Sequence, residues 1–452
     1  MIDTSAFKTA IIDLAVTGHL SAQFLADDSV EEITAALPPL SNKRKKLLGQ
    51  SFEYGKQASL PNHWRWICLG EISSYGDTPT KASFDDVSGD TWILDLEDIR
   101  SGGQLIKKTR VHGKKFIGDK TVFSEGQVLY SKLRPYLKKV LVADEDGIST
   151  PELISFDTYG GMVPQYVVYC LLSSFTDRAI EKRSYGIKMP RIDAAFMVNL
   201  PIPVPPVSEQ RFIVDRVREA FSQIDTIDAL QAKYADNLTV LKDKLIDAAI
   251  QGKLTEQLPE DGTAEELYQK IQVEEQELIK AGKFKKKKPM PEVSEEEKTF
   301  IIPDNWKWVR LGDLISIESG MGLTAAEMIS GDVPVYGGNG ITGYHNKSFV
   351  PKDTVVIGRV GFYCGSVHIT TTEAWVTDNA FITSYPENSV DRNFLVQVLR
   401  KMKLGQNNNG SAQPVVSGKK IYPLAFPLPP LAEQRRIADK LEEVLLICEG
   451  HK

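Results

Sequence analysis

From Glu209 onward the apolar residues fall at alternating steps of four and three: Ile213, Val217, Ala220, Ile224, Ile227, then Tyr234, Leu238, Leu241, Leu245 and Ala248, with Gln231 the one interruption. A mean step of 3.5 residues is a coiled-coil seam, and about 40 residues rising about 1.5 Å each predict a helix about 60 Å long. Such a stripe must be covered by a partner, so Ile213, Val217, Ile224, Ile227, Leu238, Leu241 and Leu245 are expected to form a helical scaffold or to dock another protein. Gly252 is the expected stop. Elsewhere the period shortens. VLYSKLRPYLKKVLV (128–142) and VVIGRVGFYCGSV (355–367) each read as strand, turn, strand.

The two flanks of the helix are related. PNHWRWICLGEI at 61–72 returns as PDNWKWVRLGDL at 303–314, an offset of 242, while LPIPVPPVSEQRFIVDRV from Leu200 returns as LAFPLPPLAEQRRIADKL from Leu424, an offset of 224. The second module is therefore 18 residues shorter. GIKMPRI (186–192) matches GSAQPVV (410–416), so each module closes on a Gly-x-x-x-Pro turn. Pro203, Pro205 and Pro206 match Pro427, Pro429 and Pro430, and predict stiff extended connectors that aim the following helix. A third match, AIIDLAVTGHLSAQ (10–23) with KLIDAAIQGKLTEQ (244–257), makes the N-terminus a copy of the second half of the long helix. The segment after Glu433 copies its first half. One helical region is thus whole and the other is split between the chain ends, the pattern of a circular permutation. Capping boxes, Ser29 with Glu32 and Thr263 with Glu266, open a further helix in each copy. The lysine runs 43–46 and 283–288 read as solvated linkers.

The 452 residues, 42% hydrophobic and 25% charged, suit an ordinary soluble protein of two or three domains. No stretch approaches the roughly 20 apolar residues of a membrane span, and the N-terminus carries acids where a secretory leader has a basic flank, so a cytoplasmic protein is expected. Cys68, Cys170, Cys364 and Cys448 lie too far apart for a zinc or disulfide framework, and buried thiols are expected. A net charge of -6 leaves nucleic-acid contact to local patches.

Catalytic signatures are missing. None of the Pro-Pro pairs at 38, 205 and 429 sits in the Asn/Asp-Pro-Pro-aromatic setting of a DNA methyltransferase, GKK at 418–420 lacks the glycines and hydroxyl of a phosphate-binding loop, and VYGGNG (335–340) departs from the dinucleotide fingerprint. Pro303-Asp304 opens no nuclease motif, and the six histidines make no HExxH. No metal or catalytic residue is assigned.

The Trp-Leu-Gly opening, the proline-rich exit and the EQR helix, each present twice and in order, resemble the specificity subunit of type I restriction-modification systems over nearly the whole chain. The resemblance implies an α+β (mixed) fold: two α/β target-recognition domains joined by long antiparallel coiled-coil helices, pseudo-twofold and circularly permuted. It divides the chain into 1–60 (N-terminal half of the split helical region plus linker), 61–207 (first recognition domain), 208–302 (central helical region plus linker), 303–431 (second recognition domain) and 432–452 (C-terminal half of the split region). It also implies a non-catalytic subunit that reads the two halves of a split, asymmetric site in double-stranded DNA. Its helices would set the spacing and dock two methyltransferase subunits, with restriction and translocation on further subunits; S-adenosylmethionine, ATP and Mg2+ would be bound by those partners and none by this chain. The C-terminal helix ends soon after its EQR motif, so closing that scheme depends on the N-terminal segment. Two other classes stay open, a self-contained restriction or methylating enzyme and a coiled-coil adaptor that binds only proteins.

Between Arg100 and Val140, eleven Lys or Arg stand against two acids, Asp119 and Glu125. Lys114, Lys115, Lys132, Arg134, Lys138 and Lys139 are the DNA-contact candidates there; lysines suit phosphates, while arginine can also grip a guanine edge. Lys107 and Lys108 read as a solvated face. In the second module Arg359 holds a comparable place, and the glycine loop GNGITGYHNK (338–347) offers Asn339, Tyr344, His345, Asn346 and Lys347. Lys188, Arg191, Gln413 and Lys419 flank the Gly-x-x-x-Pro turns as secondary candidates. Trp64, Trp66, Trp306 and Trp308 belong to the frame, where packing is expected rather than base stacking.

Overall fold

The computed structural model describes residues 2–22, 24–50, 52, 54, 59–113, 116–181, 183, 190–405 and 415–450. It comprises two units, Met1–Ala232 and Lys233–Lys452. Helices and strands mix in both, as the sequence predicts.

In the first unit the helix Thr4–Val16 starts where Asp3 accepts a hydrogen bond from the Ser5 amide. It runs antiparallel to the opening turns of the long helix Val207–Ile250: Thr4 bonds Asp228 at 2.6 Å and Lys8 bonds Asp225 at 2.6 Å, the partner number falling as the chain advances. Ile12, Ala15 and Val16 join Ile213, Val214 and Val217 in one core. The module that follows is clamped at its base by two strands, Arg65–Cys68 and Pro201–Val204, paired antiparallel from Arg65 with Val204 to Cys68 with Pro201. Within it lie a five-stranded sheet around Trp92 and Phe123, a three-stranded sheet with Val128–Ser131 at its centre, and the helix Pro164–Leu172.

The second unit repeats this plan. Lys307–Arg310 pairs with Ala425–Leu428, and the C-terminal helix Leu431–Gly450 bonds the second half of the long helix through Lys242 and Glu449, 2.9 Å apart. Val355–Gly358 lies between Val367–Ile369 and Ala380–Ser384, matching Val128–Ser131 between Val140–Val142 and Leu153–Phe156 residue for residue at an offset of 227. Since the frame is offset by 242, 15 of the 18 missing residues fall between the opening strand and this sheet. There the first unit builds four strands of a five-stranded sheet and the second two strands of a smaller three-stranded one.

Three expectations need correcting. The proline runs are not free connectors: Pro201–Val204 and Ala425–Leu428 are strands, possible because each has a single neighbour and a proline nitrogen facing away from it leaves no donor wanting. The lysine runs are not wholly solvated. Arg44 is buried and donates to the Gly70 and Ser73 carbonyls at 3.1 and 2.8 Å, and Lys287 does the same to the matching Gly312 and Ile315. Each cation thus satisfies carbonyls left over at the end of a short turn. Finally, the helical seam is buried at Ile213, Val217 and Ile224 and half-buried at Ala220, Leu238, Leu245 and Ala248, while Ile227, Tyr234 and Leu241 are exposed. The helix ends at Ile250, and Gly252 takes the left-handed conformation with its α-carbon against Pro303, where a side chain would collide.

Candidate nucleic-acid interface

The scaffold is tied to each module by the Glu and Gln of its EQR motif. Trp64 donates its indole N–H to Glu209 at 3.0 Å and Trp306 to Glu433 at 2.9 Å. Gln210 accepts from the Val163 amide and donates to Pro205, and Gln434 treats Asp391 and Pro429 in the same way. All four EQ side chains are buried. The framing tryptophans therefore pack, with Trp66 against Phe175 and Trp308 against Phe300.

On this frame each central sheet presents one loop. In the first module the carbonyl of Lys132 accepts from the Ile192 amide at 3.1 Å; in the second, Arg359 accepts from Val416 at 2.8 Å. Leu133 bridges Arg191, and Val360 bridges Val415. Lys132 and Arg359 thus occupy one position of a common architecture.

Their surroundings differ. Lys132 lies 3.6 Å from Glu152, which Arg191 also grips at 2.9 Å, and the Arg191 bond, with help from Lys132, holds the Glu152 carboxyl below its ordinary range. Both cations line a cleft of about 700 Å³ with Thr78, Thr80, Gln127 and Asp157. Arg134 is exposed on the loop. Lys138 is engaged by Asp177 and Leu172, and Lys139 donates to the Leu96 carbonyl at 2.6 Å. Burial raises the Asp177 carboxyl against the pull of Lys138. Lys107, Lys108 and Arg110 pair with Asp98, Asp144 and Glu145, and Lys120 with Asp95. The surplus counted along the sequence is therefore much reduced in space, since the compensating acids lie outside the counted window.

In the second module Arg359 donates to Ser319 at 3.1 Å and to the Asp378 carbonyl at 3.3 Å, with its guanidinium 5.5 Å from the Phe381 ring. Ser366 donates to the Gly338 carbonyl at 3.1 Å and the Arg359 amide to Asn379 at 2.9 Å. These bonds bring the exposed Asn339 and Asn379 to the Arg359 loop. Tyr344 is exposed near the end of the Gly340–His345 strand and Lys347 just beyond it, and Lys419 is exposed on the turn Gly418–Ile421. His345 is buried, its Nδ1 accepting from the Ile329 amide at 3.0 Å, so its ring supports the strand. Lys114, Lys115, Lys188 and Gln413 lie outside the described residues. Asn379 was missed by the sequence reading, because only the fold brings it beside Arg359.

Among the described residues no cluster of His, Cys, Asp and Glu could hold a metal, and no helix is long and apolar enough to cross a membrane.

Each unit is a helix-and-strand scaffold whose central sheet presents one loop. Residues 303–450 match the family described as the type I restriction modification DNA specificity domain. Over 98% of its length the chain is similar to the specificity subunits of the Escherichia coli type I restriction enzymes EcoAI and EcoEI, at 24% and 22% identity and over 89% of each of those proteins. Its fold is also similar to a solved structure from work on complex assembly and conformational transition of the type I R-M system, with a TM-score of 0.63 at 18% identity over 88% of this chain and 93% of that one. The chain is thus similar over nearly its whole length to type I restriction enzyme specificity subunits, and its second module carries the match to the specificity domain.

Proposed function

We propose that the two modules, 61–207 and 303–431, are independent readers of double-stranded DNA, each recognising one half of a split, asymmetric site. The observation that carries this reading is the equivalence of Lys132 and Arg359: one cation, at one position of one backbone architecture, set among different neighbours in the two modules. A common mount with different contents suits two readers of unlike sequences. The helical segments 1–60, 208–302 and 432–452 would form the two regions that set the spacing and dock methyltransferase subunits, one region being split between the chain ends. The antiparallel pairing of Thr4–Val16 with the first half of the long helix, and the bond from Lys242 to Glu449 on its second half, support that circularly permuted scheme. The exposed Ile227, Tyr234 and Leu241 leave apolar surface for such partners. S-adenosylmethionine, ATP and Mg2+ would then belong to the partner subunits, and the complex would work in the cytoplasm.

Mapping modified bases in genomic DNA from cells with and without this chain tests the reading. The expected outcome is methylation, dependent on the chain, at one motif of two short unlike parts separated by an unspecified gap. Methylation by the purified chain alone, or a single continuous motif, would overturn it.

A further inference from the structure

We infer that Tyr136 and Tyr363 are base-contacting residues, one in each recognition module; this rests on the DNA-reading role proposed above. The central sheets align at a constant offset of 227, which carries the loop SKLRPYLKKV (131–140) onto GRVGFYCGSV (358–367). Few side chains agree between them. The backbone does agree: Arg134 and Lys138 have φ of 48° and 50°, and their counterparts Gly361 and Gly365 have 94° and 85°. The amide of Leu137 bonds the Arg134 carbonyl at 2.9 Å, and that of Cys364 bonds Gly361 at 3.0 Å. Each loop is therefore a tight turn between two left-handed corners. Glycine supplies those corners freely, whereas arginine and lysine adopt them at a cost of about 1–2 kcal/mol per residue. The first module retains that strained turn, and strain held in place by its surroundings is a frequent mark of a working site.

Tyrosine stands at the same position of both turns. Tyr136 is 59% exposed and Tyr363 56%. A lone exposed aromatic on a protein surface means little; two at one position of two turns that differ in sequence and agree in backbone, each a few residues beyond the equivalent cations Lys132 and Arg359, is a pattern. Cations hold the backbone of a nucleic acid while an amphipathic ring with few rotamers supplies area against the bases, by stacking at an unstacked step or by edge contact. In the second module Phe362 adds a neighbouring ring, 87% exposed and edge-on to Tyr363 with centroids 5.0 Å apart. Its counterpart Pro135 is buried. The two tips therefore differ in apolar area, and their half-sites should differ in how far a base step is opened.

The full chain, assembled with its methyltransferase partners, is presented with a pool of duplexes randomised over 30 base pairs, and bound DNA is sequenced for wild type, Y136A, Y363A and the two Tyr→Phe variants. Wild type is expected to select a two-part motif. Y136A should lose preference in one part and Y363A in the other, with affinity for the selected duplex falling about ten-fold or more while the slope of affinity against salt stays unchanged, because no phosphate contact is lost. The phenylalanine variants should keep most of the preference. Both rings are exposed, so melting temperatures should match wild type. If wild type selects the motif and the alanine variants select it equally well, or if they lose salt dependence in place of base preference, the tyrosine assignment falls while the reader role stands. A wild-type complex that selects no sequence overturns the reader role and the tyrosine assignment with it.

Discussion

Trp64 and Glu209 lie 145 positions apart in the chain, yet the indole N–H of the first meets the carboxylate of the second at 3.0 Å in the interior of the first unit. The same carboxylate accepts from Ser21 at 2.6 Å and meets His63 at 2.9 Å, so the N-terminal segment, the opening of the module and the long helix converge on one side chain. Glu433 serves Trp306 and Gln257 in the second unit. The repeated Glu-Gln pair is thus a fastening between helix and module.

Removing that fastening leaves buried donors without an acceptor. E209A and E433A are each expected to destabilise their unit by about 2–4 kcal/mol, the range for stripping the charged acceptor from buried hydrogen bonds. Urea unfolding followed by fluorescence reads this directly, since the indoles concerned are the probes. Losses below about 0.5 kcal/mol in both variants would mean that the carboxylates bear no structural load.

The recurrence of this fastening explains why so much of the scaffold is legible in the sequence. Trp64, Glu209, Gln210 and Gly18 satisfy geometric demands that Trp306, Glu433, Gln434 and Gly252 satisfy again, so they recur at fixed offsets. The capping boxes at Ser29 and Thr263 were readable for the same local reason. The basic patch was legible only in part. A window count sees Lys138 and Lys139 but not Asp177 or the Leu96 carbonyl, which only the fold brings to them. The tips were hidden by composition: Arg134 and Gly361 share no chemistry, and only their common left-handed φ shows that they do the same work.

Within the first lysine run the residues should separate sharply by burial. Arg44 is buried on two backbone carbonyls, while Lys43, Lys45 and Lys46 are exposed. R44A is expected to cost about 3 kcal/mol, as for an uncompensated loss of a buried charged donor, and the three neighbouring Lys→Ala changes within about 0.5 kcal/mol each. Thermal melting of the four single variants distinguishes this from a solvated linker, in which all four would behave alike.

Acid should release one specific contact of the second unit. Arg310 is buried, donates to the Pro291, Glu292 and Pro423 carbonyls, and pairs with Glu297 through two bonds of 2.7 and 2.8 Å. The Arg310 bonds are the main cause that holds the Glu297 carboxyl at about 2, below its ordinary 4.5. A depressed carboxyl contributes stability above its unfolded value and loses it as pH falls through the folded one. The pair should therefore be intact above about pH 4.5 and be lost towards pH 2. Carboxyl carbon shifts in an NMR titration report this, and E297Q should remove that part of the acid dependence. A Glu297 midpoint near 4.5 in the folded protein would contradict the contact.

The candidate cations differ in where they stand on the central sheets, and DNA binding should divide along that line. Arg134 is exposed on the loop of the first module, Lys132 stands at its base beside Glu152, and Arg359 holds the place of Lys132 in the second module, whereas the amines of Lys138 and Lys139 are directed to Asp177 and to Leu96. The double variant K132A/R134A is expected to weaken recognition of one half-site and R359A that of the other, each by about 1–3 kcal/mol where a base contact is lost. K138A and K139A should lower stability with little effect on which sequence is bound. Competition binding against duplexes altered in either half measures all four. Equal losses at both halves from any one of the loop variants would rule out independent readers, because each loop belongs to a single module.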